Sequence, residues 1–528
     1  MKKALISMII VLSCTLILGT HQCNAQFTQE WVSTYNLSDL DQPYDITCRN
    51  DFIYVAGYTV EGYWGPLILK YNKYGRVIWT YKNIYMGYGS LRKILTDSAE
   101  NVYVTGSFGG ETGDDITTFK LDSKGNLNWF KRYTFDSLSN DNPSSMCLDN
   151  SGNVYVTGSS SRTRSDAITI KYDSSGNQRW VARYLSTLNG AGANDIKFDK
   201  KGFIYVAASR EGKATLLKYD TFGNLKWFRE YGPGFGQAFS KLEIDDSSRI
   251  YLTGYSASYG LLMVYNENGD LIKLSLDKPA NVEYLQYNYC KLDKWNNLYA
   301  VGKSDFISGN MNICLVKYNS QGILLWSKIY DSGFGIKDYP IGMDVDKYGN
   351  CYIVGRHQVP YPWDPKPIIT LAYDKFGNLS WDVAYYGEDS LCNASAIAVD
   401  TSGGVYVTGE SSNNISNTGT DIVVIKYNSL VGINPVIITL PKEYSLSQNY
   451  PNPFNPSTTI KYSLPKDGFV SLKIYDITGR EVKTLAGEVK KAGYYSVTFN
   501  ASSLASGVYF YRIQSNDFVM TKRMVLIK

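Results

Sequence analysis

The stretch Asp149-Asn-Ser-Gly-Asn-Val-Tyr-Val-Thr-Gly158 couples a turn to a strand. An Asp whose short carboxylate caps a turn, with Gly three residues on for the left-handed position, closes a hairpin; Val-Tyr-Val-Thr then has the make-up of a strand. The Tyr phrase recurs at Ile53–Gly57, Val102–Gly106, Val154–Gly158, Ile204–Ala208, Ile250–Gly254, Leu298–Gly302, Cys351–Gly355 and Val405–Gly409. Its tyrosines are 46 to 54 residues apart.

Three more elements keep this beat. A strand ending in a Lys-Tyr-like pair follows each phrase, as at Lys70-Tyr71, Lys171-Tyr172, Lys218-Tyr219, Lys317-Tyr318 and Lys426-Tyr427. Asp or Asn with Gly three residues later comes next, then a Trp strand at Trp79, Trp129, Trp180, Trp227, Trp326 and Trp381, with Leu271 in one slot. A strand ending in Asp (Asp97, Asp149, Asp199, Asp245, Asp293, Asp346, Asp400) precedes the later phrases. Four short antiparallel strands per unit at a period of about 50 residues predict an all-β chain built as a β-propeller, since one such unit cannot bury both its faces alone. Eight blades are expected, with seven as the alternative. The array opens on an orphan Trp strand around Trp31 and ends on an orphan Lys-Tyr strand, Ile422–Tyr427, so the first strand is expected to complete the last blade and remove a free edge.

Because strands alternate in direction, the tight Asp turns fall on one face and the longer connections on the other. Loops on a rigid scaffold are the usual home of binding, so the candidate ligand-face residues are Tyr63, Trp64, Arg162, Arg164, Arg356, Tyr361 and Trp363.

Composition narrows the chemistry. The 528 residues are 44% hydrophobic and 19% charged with a net charge of +4, which gives no reason to expect nucleic-acid binding. There is no P-loop, GxSxG or HExxH motif, and His357 is the only His beyond residue 25. No cofactor or metal site is expected, and the chain reads as a non-enzymatic binder or scaffold. The alternative is a carbohydrate-active enzyme, because two carboxylates suffice for glycoside hydrolysis; Asp114, Asp115 and Asp364 are its candidate acids.

Residues 1–25 pair basic Lys2 and Lys3 with an apolar run too short to span a membrane, ending in Cys23-Asn24-Ala25. This reads as a signal peptide cut after Ala25 for export to the periplasm; a lipoprotein signal at Cys14 is disfavoured because the apolar run continues past it. No other segment is long and apolar enough to span a membrane. Six Cys then remain without CxxC spacing, and read as small buried hydrophobes rather than disulfides.

The units resemble the secreted bacterial β-propeller (SBBP) repeats over residues 27–430. That resemblance implies the fold but no activity or ligand. A linker at 431–440 leads to residues 441–528, whose 12 Lys and Arg against 6 Asp and Glu contrast with a net-negative propeller. Alternating strands here predict a small Ig-like β-sandwich. Its opening, Asn449-Tyr450-Pro451-Asn452-Pro453-Phe454, with Val470–Val482 and the basic-apolar ending Met520–Lys528, resembles the type A C-terminal sorting domain of type IX secretion cargo. The resemblance implies the secretion machinery as a partner, and a secreted or cell-surface protein presenting its propeller loops to a protein or glycan.

Overall fold

A computed structural model describes residues 29–527, apart from 38–39, 62, 84–85, 110–112, 137, 188–189, 234–235, 280–281, 307–310, 334–335, 359–365, 388–390, 414–418, 428–442, 450–451 and 491–492. The expected signal peptide and its Ala25 lie outside these residues. The chain divides into two compact units, Met1–Val431 and Gly432–Lys528.

In the first unit, strands pair in chain order into four-stranded antiparallel sheets, for example Asn140–Leu148, Val154–Ser161, Ser165–Tyr172 and Gln178–Tyr184. Among the described residues there are six such sheets and one of eight strands. The eight-stranded sheet forms where Leu40 meets Thr420 in parallel, joining the sheet that begins at Leu40–Arg49 to the one that ends at Gly419–Tyr427. First strands of successive sheets touch one another all the way round, including Leu40–Arg49 against Cys392–Val399, so they form the inner wall of a closed ring: a β-propeller.

Each repeated residue has one job. Asp149 Oδ1 accepts from the backbone N–H groups of Ser151 and Asn153, and its Oδ2 from the Asn153 amide and, at 3.1 Å, the Tyr155 hydroxyl. The same tyrosine-to-turn bond recurs at Tyr103, Tyr251, Tyr352 and Tyr406. Where the first repeat lacks the turn Asp, Tyr54 turns to Glu100 of the next sheet, which Lys70 and Asn50 also reach.

In several units the Lys and Trp hold the next one. Lys171 Nζ and Trp180 Nε1 both donate to the Thr221 carbonyl, at 3.0 and 2.9 Å, and Lys70 and Trp79 treat Ser123 the same way. The turn glycine lies under that Trp ring: a Cβ on Gly223, whose φ is +85°, would sit 2.7 Å from Trp180. Leu271 leaves the corresponding place on Gly322 to Lys273 and Val264.

Apolar cores fill the gaps between sheets, as where Tyr103 and Ile116 pack on Val154 and Ile168. The core of Ile53, Leu67, Ile422 and Val424 closes the ring. There the strand Gln29–Tyr35 pairs antiparallel with Gly419–Tyr427 and completes the last sheet, as the orphan strands foretold. Trp31 Nε1 donates to Lys73 O at 2.9 Å, and its ring covers Gly75. Among the described residues none of the six cysteines is in a disulfide, five of them are buried, and burial pushes the Cys290 and Cys314 thiols up to about 12.

In the second unit a three-stranded sheet (Ser445–Leu446, Ser457–Leu464, Gly493–Asn500) and a four-stranded one (Glu481–Lys490, Gly468–Tyr475, Gly507–Ser515, Phe518–Leu526) share one core that includes Ile460, Leu472, Phe499 and Ile513.

Candidate functional site

Every first strand in the propeller carries a bulge. The unpaired residue is Tyr44, Arg92, Ser144, Asn194, Ser240, Asn288, Ile341 or Ser395 in turn. The phrase-ending glycine sits opposite: a Cβ on Gly254 would lie 2.0 Å from the Ala238 carbonyl. The bulge thus explains why seven of the eight phrases end in Gly, and it frees one inner side chain per sheet from the ladder.

The long connections gather on the face opposite the Asp turns. On the first repeat they build a run of rings. Tyr44 lies 5.7 Å from Tyr58, Tyr58 stacks on Trp64 at 4.9 Å, and Trp64 meets Tyr88 edge-on at 4.7 Å. Tyr58 is buried and donates to Gln42 Oε1 at 2.7 Å, whereas Tyr88 is 65% exposed and Tyr63 70%. The Tyr88 carbonyl accepts from Gly109 N, fixing the connection that carries it.

The other candidates do not join this run. Arg162 pairs with Asp136 at 3.1 Å, and Arg164 donates to the Thr187 carbonyl, so both tie neighbouring connections together. Arg356 is exposed, with its guanidinium 5.5 Å from the Tyr339 ring centre. Tyr361, Trp363 and Asp364 fall outside the described residues. Sequence reading missed Tyr44, Tyr88, Arg92 and Glu410. Comparing the repeats position by position would have found Glu410: the residue after the phrase is Tyr58, Ser107, Ser159, Ser209, Tyr255, Lys303, Arg356 or Glu410.

Of the candidate acids, Asp114 is half-buried and makes no ion pair among the described residues, whereas Asp115 is occupied. Asp115 is buried 3.6 Å from Arg132. Along the first strands Asp45 meets Lys93 at 2.9 Å, Glu243 meets Lys197 at 2.9 Å and Asp344 meets Lys291 at 3.5 Å, each pair bridging neighbouring sheets. Asp45, Asp195 and Asp344 also accept the backbone N–H of Ile94, Leu242 and Val399 in the next sheet. These acids brace the ring. Among the described residues no group of His, Cys, Asp and Glu could hold a metal ion.

His357 lies with Nε2 3.2 Å from Asp338 Oδ1, and Asp338 caps a connection by accepting from Ser332 N. Burial pushes Asp338 up to about 6 and His357 down to about 4. Between pH 4 and 6 the folded pair holds one proton on the carboxyl, and the unfolded chain holds one on the imidazole, so their contributions to pH dependence offset. Removing either partner exposes the other. In His357→Gln, stability is expected to fall by roughly 2 kcal/mol as pH rises from 4 to 6, because only the folded carboxyl keeps its proton. In Asp338→Asn it is expected to rise with pH over the same interval. Urea midpoints between pH 4 and 7 check both, and parallel profiles for the two variants would refute the shared proton.

In the second unit, the opening motif organises the fold. Asn449 is buried, taking the Tyr511 hydroxyl on its N–H and donating its amide to Thr458 Oγ1. Asn452 Oδ1 accepts from Val525 N, and Phe454 is buried beside the last strand, where its N–H and carbonyl bond Val525 and Ile527. Pro453 follows Asn452 in a cis peptide, and Tyr450 and Pro451 are outside the described residues.

The sequence profile of the secretion system C-terminal sorting domain matches residues 448–528, and that of the SBBP β-propeller repeat matches residues 128–162 and 383–416. The chain therefore carries SBBP propeller repeats ahead of a type IX sorting domain, and is secreted or attached at the cell surface. Among the described residues no helix is long and apolar enough to cross a membrane. No curated protein matches the sequence. Among solved structures, the quinohemoprotein alcohol dehydrogenase ADHIIG of Pseudomonas putida HK5 is similar at 12% identity, over 76% of each chain, with a TM-score of 0.53. An ulvan lyase, a polysaccharide lyase, is similar at 11% identity over 76% of this chain and 98% of its own, with a TM-score of 0.45. Likeness at these identities is one of fold alone.

Proposed function

We propose that the chain is an eight-bladed surface propeller, followed by an Ig-like sorting sandwich, that works by binding a partner on its loop face and carries out no catalysis. The observation that carries this reading is the run of rings on the first repeat, whose outer member Tyr88 is open to solvent on a connection fixed by a hydrogen bond. The pairing of Asp115 with Arg132, and of the first-strand acids with lysines, weighs against glycoside hydrolysis, which needs one acid free as a proton donor and a second as base or nucleophile. The blade count draws support from eight inter-sheet cores among the described residues. A glycan array and an envelope-extract pull-down with the exported chain test the reading. The ligand found should lose most of its binding when Trp64 and Tyr63 are both replaced by alanine; a ligand held equally well by that variant would overturn the loop-face assignment.

A further inference from the structure

We propose that the channel mouth beside the first repeat binds an acidic polysaccharide, with sugar rings laid on the Trp64–Tyr88 run and their carboxylate or sulfate groups meeting Arg92. This rests on the loop-face reading above and names its ligand class.

The repeats supply an internal control. The seven other first strands hold the backbone position of Tyr44 with Arg, Ser, Asn or Ile, and the position of Trp64, paired with Val60, corresponds to Asp114 and Ser165 in the next two repeats. The fold therefore does not ask for rings at these places. Their geometry is nevertheless set in advance. Tyr88 hangs on Gly109, the Arg132 guanidinium donates to the Met86 carbonyl two residues before it, and Met86 is itself buried. A preformed site loses little freedom on binding.

The chemistry is that of a sugar site. All the rings belong to Tyr or Trp, which offer an apolar face to C–H groups and a polar edge to hydroxyls. An aliphatic protein partner would call for Leu, Ile or Met in the run, and it has none.

Charge selects the acidic class. Arg92 takes the bulge position next to Tyr44, is exposed, and makes no ion pair among the described residues; Lys303 and Arg356, farther round the rim, make none either. The one carboxylate in the same set of positions, Glu410, accepts from Asn393 at 2.6 Å, and burial raises its pKa, which blunts its charge. Arg presents a planar fork that matches carboxylate and sulfate oxygens.

The exported full-length chain should be retained by immobilised polygalacturonate or chondroitin sulfate and not by xylan or dextran, with single-stranded DNA as a competitor. Tyr88→Ala is expected to weaken retention at least tenfold. Arg92→Gln should do the same on the acidic polymers and flatten the salt dependence. Arg164→Gln, which alters a tie between connections of the third and fourth sheets, should bind like the parent, and equal thermal midpoints show that the variants fold. Equal retention on acidic and neutral polymers, stronger capture by DNA, or parent-like binding by both Tyr88→Ala and Arg92→Gln would overturn the proposal. If neutral glycans bind and Tyr88→Ala abolishes it while Arg92→Gln does not, the acidic class falls and the loop-face reading stands. If a bound polymer ignores Tyr88 and Trp64 alike, both fall.

Discussion

Trp31→Ala is expected to lower the stability of the propeller by about 3 kcal/mol, read as an earlier urea midpoint. The ring of Trp31 covers Gly75, packs 6.1 Å from Tyr406, and its N–H ends on Lys73. The substitution removes that packing and leaves the carbonyl without its donor. The strand that carries Trp31 ties the start of the propeller to the last repeat, whose other strands are Cys392–Val399, Val405–Asn413 and Gly419–Tyr427. Removing Gln29–Tyr35 altogether should do far more. It bares the edge of Gly419–Tyr427, whose Ile422, Val423 and Val424 are fully buried, and an unpaired apolar edge invites association with other chains. Aggregation of the shortened chain at concentrations where Trp31→Ala stays monomeric is the expected result. A shortened chain with the parent's midpoint would show that the ring is not closed by this strand.

A chain ending before residue 441 is expected to accumulate in the periplasm, with export to the surface or medium reduced at least tenfold by quantitative blotting of fractions. The second unit has its own core and matches the sorting family over residues 448–528, so its removal takes the export signal and leaves the propeller's sheets whole. A finer variant separates signal from stability. Asn449→Ala removes the buried amide that donates to Thr458 Oγ1, at about 1–3 kcal/mol, and keeps the backbone N–H that donates to the Tyr511 hydroxyl. Export that falls in step with the unfolding of this unit would mean that its motif acts through the fold. Efficient export of the truncated chain would contradict the sorting assignment.

The repeat was readable because each recurring residue makes the same contact in most repeats: Asp to its turn, Tyr to Asp, Trp to the next sheet. The ligand face was only partly readable, because it consists of departures from the repeat. Trp64 stood out as a large ring in a loop, whereas Tyr44 and Arg92 sit on bulges, which break the two-residue alternation that marks inside from outside. Arg162 and Arg164 looked free in sequence but are spent on Asp136 and Thr187. In the tail, the strand Glu481–Lys490 passed unnoticed because it is mostly exposed and shows no apolar alternation. The asparagine and phenylalanine of the tail motif read as a recognition signature, yet Asn449 and Phe454 are buried.

The row of bulges has a consequence for how such a molecule can change. A residue outside the ladder can be exchanged without breaking a strand-to-strand bond, while the glycine opposite accommodates the carbonyl. Each sheet thus offers a socket whose occupant is decoupled from the architecture, and the array behaves as a keyboard on which new preferences can be played while the instrument stays in tune. Moving the aromatic set from Tyr44 and Tyr58 to Ser144 and Ser159 would relocate the recognition patch by two sheets and leave the frame as it is.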